Sequence, residues 1–552
     1  MQQRSWAAAT AALVIATAAP AAQAAPDRSV TAGANIPADA FTFVERAASA
    51  CTHHVAITGS DGNSGTSPTS AWRTPAKAFQ ALTPGQRACI HAGTYDVAAL
   101  DPARGGTASA PIAVTGAPGE ARPILRSTGD STLLSFGGGD AYWLVGGLDL
   151  NKNRRGGATV QVLGSSTAPA HHIAVRQSVI RDGMSGAAVL IRHSASDVLV
   201  AGNEIHGHHL WRKGDLKAYT RIDSGYLRAD ANGVNLEGTA DAQVARVRLE
   251  ANDIHDNGGD GVQCLGVDDT GGPRATDPAD LDIVDNRLRF NEEDAADIKS
   301  CQRVSIRGSR SPELAGSAAA SKLYGYRPTD RSADMPGNHS GGGAIVIHYF
   351  ARHVEVKNTR IWDSCRGISV GRDDLDGVRD ISISRTLIFG LVSGENCPGM
   401  GVNVVLAQRV DLFHNSFAGI PDTAVRIGTD NGGSRSSSDV DVFNNVIEGR
   451  YWLDLYRPRV SGFESDRNVV WNPDGSSTHM KLDFNPTALA DWQRLTGQDA
   501  SSRHGDPLWI EEPVSNDYFT RSGSPARDGA LNTVGAAFCG AGPDIGFRES
   551  GC

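Results

Sequence analysis

One phrase recurs along this chain and limits what it can become. Asn252-Asp-Ile-His-Asp-Asn-Gly-Gly-Asp-Gly-Val262 returns as Asn286-Arg-Leu-Arg-Phe-Asn-Glu-Glu-Asp-Ala-Ala296, aligned over eleven positions. Looser copies stand at Asn203-Glu-Ile205, Thr359-Arg-Ile361, Thr386-Leu-Ile388, Asn415-Ser-Phe417 and Asn445-Val-Ile447, the last four spaced by 27 to 30 residues. A period that short marks one coil of a solenoid, because such a repeat can bury its apolar face only against its neighbours. Over residues 113–470 the text is short β-rich runs, such as Val198-Leu-Val200, Leu281-Asp-Ile283, Val304-Ser-Ile306 and Val440-Asp-Val442, separated by Gly, Asn and Asp. Alternation with period two sends one set of side chains inward and the other out. The recurrent Asn sits where each coil must turn; Asn tolerates left-handed backbone and bonds to neighbouring backbone, so stacked coils place these amides in a ladder.

The two ends differ from the middle. Arg4, an apolar run over 7–18 and the small-residue site Ala22-Gln-Ala24 read as a signal peptide, residues 1–24, which predicts a secreted or periplasmic protein. No later segment reaches the roughly 20 apolar residues of a membrane span. A flexible segment is expected over 25–50, then an N-terminal cap and first coil over 51–112, with Pro75 in the first turn of a short helix. Residues 471–552 read as a C-terminal cover containing a helix over 486–495, with Asn485 as its cap and Gly497 at its end. Two polar interruptions, 210–229 and 309–343, read as loop insertions on the side of the solenoid. Eight cysteines suit an oxidising compartment; pairing in sequence order is the simplest of 105 arrangements, although Cys264, on an inward strand position, can also serve as core filler. A net charge of −10 excludes nucleic acid as the partner but not an anionic polysaccharide met by local cations. A monomer is expected.

The opening Thr58-Gly-Ser-Asp-Gly-Asn-Ser-Gly65, with Trp72-Arg-Thr and Ala92-Gly-Thr-Tyr95, and the closing Asp506-Pro-Leu-Trp509 and Ser522-Gly-Ser-Pro-Ala-Arg-Asp-Gly529 resemble the two ends of the right-handed parallel β-helix superfamily of secreted polysaccharide-active proteins. The resemblance implies an all-β, right-handed parallel β-helix. That fold carries lyases, hydrolases, esterases, epimerases and adhesins, so function has to come from the site. Within the superfamily, Asn291-Glu-Glu-Asp-Ala-Ala-Asp-Ile-Lys299 resembles the coil motif of family-nine pectate lyases, Asn-x-x-Asp-Gly-x-x-x-Lys, in which aspartates bind calcium and a lysine is the base. It departs from that motif where Ala follows Asp294.

Aligning the coils turns Val262 with Ala296, and Cys264 with Ile298, inward. Gln263, Asp297 and Lys299 then point out. Glu237, Leu265, Lys299 and His348 fall in one outward row and Asn235, Gln263 and Asp297 in the row beside it, with coils about 4.8 Å apart. Elimination from a uronate needs a base for the proton next to the carboxylate and positive charge to stabilise the anion that develops. The candidate catalytic residues are Lys299, His348 and Glu237, and the candidate calcium ligands are Asp260, Glu293, Asp294 and Asp297. The bland reading of Asp297 and Lys299 is a surface ion pair of little energetic value. Arg221 and Arg228 in the first interruption, and Lys322, Tyr324, Tyr326 and Arg327 in the second, are candidates for stacking on sugars and clamping carboxylates. His206, His208 and His209 lack the spacing of a zinc site. The pairs Asp268-Asp269 and Asp373-Asp374 could serve an inverting hydrolase, although their Gly-rich surroundings suit turns. The leading expectation is therefore a calcium-assisted lyase acting on an acidic, uronate-containing polysaccharide. The alternatives are a glycoside hydrolase on the same fold, or a non-catalytic carbohydrate-binding or surface protein.

Overall fold

A computed structural model of the chain describes residues 33–184, 186–208, 221–222, 225–226, 231–267, 271–291, 293–308, 321–324, 343–372, 374–394, 397–429, 435–476, 478–510, 518–531 and 538–549. The signal peptide and residues 25–32 lie outside them. Each coil lays down three short strands, one on each of three faces. One coil runs through Ala245–Glu250, Asp253–His255 and Val262–Leu265, and the next repeats the path through Ala279–Val284, Arg287–Arg289 and Ala296–Lys299. Between coils every one of these strands pairs in parallel with its counterpart. The first face is a sheet of fourteen strands among the described residues. The second and third faces merge near the C-terminal end, where Ser416–Ile427 and Val446–Leu455 run through the corner unbroken. The chain is a right-handed parallel β-helix.

Period-two alternation builds the interior. Val262, Ala296 and Ile345 share one register position and Cys264, Ile298 and Ile347 another, and all six are buried. Burying a Val or Ile side chain contributes roughly 1.5–3 kcal/mol, and stacking identical positions makes that core continuous.

The corners are closed by asparagines. The Asn203 side chain donates to Asn252 Oδ1 at 3.0 Å, and Asn252 donates in turn to Asn286 Oδ1 at 2.8 Å and to the Val200 carbonyl at 2.8 Å. A second ladder joins Asn257 to Asn291 at 3.0 Å, and a third joins Asn415, Asn445 and Asn468. The left-handed residue of the turn is not the Asn, as the sequence suggests, but the one before it: Ala251, Asp285, His414 and Asn444 have φ near +55°. The preceding residue makes the bend, so the Asn side chain is free to enter the core and collect backbone groups that would otherwise be buried unpaired. Asn252→Ala orphans an amide and a carbonyl inside this ladder. It is expected to cost about 3 kcal/mol, read as a lower denaturation midpoint with an unchanged m-value.

Both ends are covered. Helix Pro75–Ala81 begins at Thr74, whose hydroxyl accepts the Lys77 N–H at 3.3 Å, and it lays Phe79 on Trp143 with ring centroids 5.5 Å apart. At the other end the helix is Leu489–Thr496, starting later than the sequence suggests, and Asn485 is not its cap. Residues Asn485–Thr487 instead pair antiparallel with Met480–Leu482, an edge position that suits Pro486, which has no N–H to donate. Gly497 does close the helix, at φ 72°.

The described part of the segment expected to be flexible, residues 33–50, lies against the solenoid. From Gly33 on, the chain is a strap along the outside of the first sheet. Gly33 donates to the His353 carbonyl at 3.1 Å, Ala34 to Ser305 Oγ at 2.8 Å and Asn35 to Asp280 Oδ1 at 3.0 Å, and Phe43 buries itself among Ala174, Leu199 and Ala201. Two phenylalanines in a polar, proline-containing stretch are enough to hold it down.

Disulfides join Cys51 to Cys89, Cys264 to Cys301 and Cys365 to Cys397. Cys264 is therefore a cross-link between the third and first faces, not a free thiol filling the core. Cys539 is also disulfide-bonded, and Cys552 lies outside the described residues. Of the interruptions, 309–343 is not wholly loop: Ser321–Tyr324 is a strand of the second face, paired with Arg287–Arg289 and Thr359–Trp362, because Leu323 shares register with Leu288 and Ile361.

Candidate catalytic and cation site

The third face carries the site, and its turns set the positions. Asp260 and Asp294 stand two residues ahead of the first pleat of Val262–Leu265 and Ala296–Lys299, and Asn232 holds the same place ahead of Val234–Glu237. These three side chains form a ladder that runs up the corner. Asn232 Oδ1 accepts the Asp260 N–H at 2.7 Å, Asp260 Oδ1 accepts the Asp294 N–H at 2.9 Å, and Asp294 Oδ1 accepts the Gly343 N–H at 2.8 Å. Each aspartate thus spends one oxygen on the scaffold. Asp260 Oδ2 accepts from the Gln263 amide at 2.9 Å. Coils stack tightly here: a Cβ on Gly261 would lie 2.7 Å from the Ala295 carbonyl oxygen, whereas one coil later Ala295 itself is accommodated, fully packed in the core.

Asp297 comes off the strand itself, facing out beside Gln263 on one side and Val346 on the other. Its two oxygens meet two different side chains. Lys299 Nζ lies 2.7 Å from Oδ2, and His348 Nε2 lies 2.8 Å from Oδ1. Asp297 is 3% exposed, so this is not the solvated surface pair of the bland reading. Burial opposes its ionisation, but His348 and then Lys299 outweigh burial and hold Asp297 below the usual carboxylate range. An ionised Asp297 can only accept, so His348 Nε2 carries the proton of that bond.

Asp260, Asp294 and Asp297 bring one oxygen each within 4.8 Å of one another, and they are the one such group of metal-ligand type among the described residues. Asp260 is fully buried; burial first, and then the charges of Asp297, Asp294 and Glu293, push its carboxyl well above the usual range. Asp294 is raised in the same way, by burial and then by Asp297. Burial lowers Lys299, but Asp297 and then Asp260 more than reverse this, so its ammonium holds its proton more tightly than usual. Ionised together, these carboxylates would outnumber the one Lys299 ammonium beside them. That excess, in an all-oxygen donor set, fits a hard divalent ion such as calcium, which takes six to eight oxygens and fills the remainder with water.

The other candidates are placed apart. Glu237 is in the row of Lys299 but two coils away, beyond Leu265; it accepts from Asn235 at 2.9 Å and meets Arg192 at 3.3 Å. Glu293 is outside the group of three oxygens, and its charge acts on Asp260, Asp294 and Lys299. Arg221 lies on a short strand, Arg221–Ile222, paired antiparallel with Gly225–Tyr226. Lys322 and Tyr324 lie on the second face, not the third. Arg228, Tyr326, Arg327, His209, the pair Asp268-Asp269 and Asp373 lie outside the described residues. His206 stacks on His255 at 5.0 Å, while His208 is buried with Nε2 2.9 Å from the Thr159 hydroxyl, so the two do not converge on a metal. Asp374 is held by Arg372 at 2.8 Å. Asn232 was not singled out from the sequence, although Asn232-Gly-Val234 has the same form as Asp260-Gly-Val262.

No family model matches the chain, and no curated protein matches it. Among solved structures it is similar to pectate lyase Pel9A, at 16% identity over 91% of this chain and 97% of that one, with a TM-score of 0.40. It is similar to a mannuronic acid specific polysaccharide family 6 lyase from human gut microbiota, at 14% identity over 75% and 89% of the two chains and a TM-score of 0.45. It is also similar to the GH136 lacto-N-biosidase from Eubacterium ramulus, at 10% identity over 82% and 66%, with a TM-score of 0.40.

Proposed function

We propose that this protein is an exported lyase that cleaves an acidic, uronate-containing polysaccharide by β-elimination, with Lys299 as the base and Asp260, Asp294 and Asp297 holding calcium. The observation that carries this reading is the meeting of three carboxylates within 4.8 Å beside Lys299, on an outward face. When bound, calcium supplies positive charge that offsets the carboxylates and polarises the acid group of the sugar. The residues around it do the rest. Asp297, fixed by His348, sets the position of the Lys299 amine. The same carboxylates make Lys299 hold its proton more tightly in the cation-free protein; bound calcium would offset their charge and so would bring the Lys299 amine toward the range of a base.

Within the group of Asp260, Asp294 and Asp297 the oxygens lie closer together than the about 6.5–9.5 Å that an inverting hydrolase needs between two carboxyls to admit a water. Incubating the mature protein with a panel of uronate polymers separates the classes. Elimination is expected, seen as ultraviolet absorbance of unsaturated products on at least one polymer. New reducing ends without that absorbance would replace the lyase by a hydrolase, and binding with neither would leave a carbohydrate-binding protein.

A further inference from the structure

The cluster around Asp297 does not end at His348. The His348 ring lies against the Tyr349 ring, centroids 4.4 Å apart, and the Arg372 guanidinium lies over the Tyr349 ring, 4.5 Å from its centroid. Arg372 is held in that pose by Asp374, with Nε and Nη2 each on one carboxylate oxygen at 2.8 and 3.0 Å. Asp374 is braced in turn by Arg435, which donates to its carbonyl and lies 3.7 Å from Asp376. A run of direct contacts therefore leads from Lys299 through Asp297, His348 and Tyr349 to Arg372. The register places Arg372 one coil beyond Tyr349: Lys299 stacks on His348, and Val370 stacks on Ile347 just ahead of them. Arg372 thus lies two coils from the plane of Lys299, about 10 Å along the axis, a distance that the next one or two sugars of an extended chain would cover. Its side chain is one-third exposed. Nε and Nη2 each give one N–H to Asp374, which leaves the Nη1 side of the guanidinium for a further acceptor, and a group that is stacked and already oriented loses little entropy when it takes a carboxylate there.

We infer that Arg372, stacked on Tyr349, is a specificity-determining residue that binds the carboxylate of a uronate neighbouring the one at Lys299. The inference rests on the lyase reading and extends it by naming the group on the substrate that is recognised away from the reacting sugar. Tyr349 supplies the platform, and Asp374 sets the orientation.

The test compares wild type, Arg372→Gln and Arg372→Lys on the polymer that wild type cleaves, and on the same polymer with its carboxylates methyl-esterified at random to about half. Binding of the free-acid polymer is measured by calorimetry in the Lys299→Ala background, where no turnover interferes. Arg372→Gln is expected to raise KM, and the calorimetric Kd, about tenfold, the size of a lost charge-assisted pair, with kcat within twofold of wild type. Arg372→Lys is expected to recover part of the affinity, and the penalty is expected to shrink on the half-esterified polymer. Unchanged KM and Kd in Arg372→Gln would overturn the inference while leaving the lyase reading standing. An equal penalty on both polymers would also overturn it, since the residue would then be supporting the loop and not reading charge. If wild type neither cleaves nor binds any polyuronate, both readings fall together.

Discussion

Replacing Lys299 with alanine is expected to lower kcat for uronate elimination by about a thousandfold, within the range of a lost general base. The protein should remain folded, because Asp297 keeps His348 at 2.8 Å when the lysine is gone. Alanine alone does not separate a base from a structural partner, since Lys299 is also the ion-pair partner of a buried carboxylate. Lys299→Arg does separate them. Arginine keeps a cation beside Asp297, but it cannot give up its proton in a protein. A structural role would be restored by arginine, and the role as base would not. Near-normal kcat in Lys299→Arg would therefore remove Lys299 from the chemistry even if cleavage occurs by elimination.

The second large effect is on stability, and its sign depends on the cation. Asp260 and Asp294 are raised above the usual carboxylate range by burial and by neighbouring negative charge. Between the ordinary carboxylate value and their raised values the folded protein holds more protons than the unfolded chain, so their contribution to stability is present at low pH and is lost as pH rises through the raised values. Asp297 acts in the opposite sense: its contribution is present above the ordinary carboxylate value and is lost as pH falls through its lowered one. In a chelator, the melting temperature is expected to fall as pH rises from weakly acid to neutral. With calcium at a hundred times its Kd, stability at neutral pH is expected to rise by about 2.7 kcal/mol, and the fall with pH to flatten. Asp260→Asn is expected to reverse both observations. It removes one of two poorly compensated buried charges, so in chelator the variant should melt at or above wild type, and it should gain little or nothing from calcium. Differential scanning calorimetry with and without calcium reads all three effects. If Asp260→Asn is destabilised in chelator yet still responds fully to calcium, the carboxylate is only a rung of the corner ladder.

Much of this geometry was legible because the solenoid repeats. Aligning the two copies of the Asn phrase places Val262 on Ala296 and Cys264 on Ile298, and the observed register has the same pairs. The row that contains Lys299 and His348, and the adjacent row of Asn235, Gln263 and Asp297, follow from strict alternation, and they stack in that way. What repetition could not show is where long side chains lean. His348 stacks directly on Lys299, yet its ring reaches sideways to Asp297 in the neighbouring row. Glu237 shares the row of Lys299 but turns to Arg192 and Asn235, because those partners are nearer than the two coils that separate it from the cluster.

Turn geometry was the other blind spot. Asp260 and Asp294 read as turn residues and as ligands with equal ease, and they serve as rungs above Asn232 while meeting Asp297. Tyr349 and Arg372 were missed because nothing in their local text shows that the corner after the third face stacks one on the other. The strap from Gly33 to Arg46 looked unstructured by composition. Its anchors are backbone donors to Ser305, Asp280 and His353, more than two hundred residues away, and no local pattern records them. The late start of the C-terminal helix has the same origin: Pro486 fits a first helical turn locally, but the edge of Met480–Leu482 captures it first.

The most direct measurement follows the ultraviolet absorbance of unsaturated uronate as the mature protein acts on a uronate polymer, first stripped with a chelator and then titrated with calcium. The expected result is absorbance that vanishes on stripping, returns with calcium in wild type, and stays near background in Lys299→Ala and Asp260→Asn at any calcium concentration. Full absorbance in the stripped protein, or in either variant, would contradict the assignment of this site.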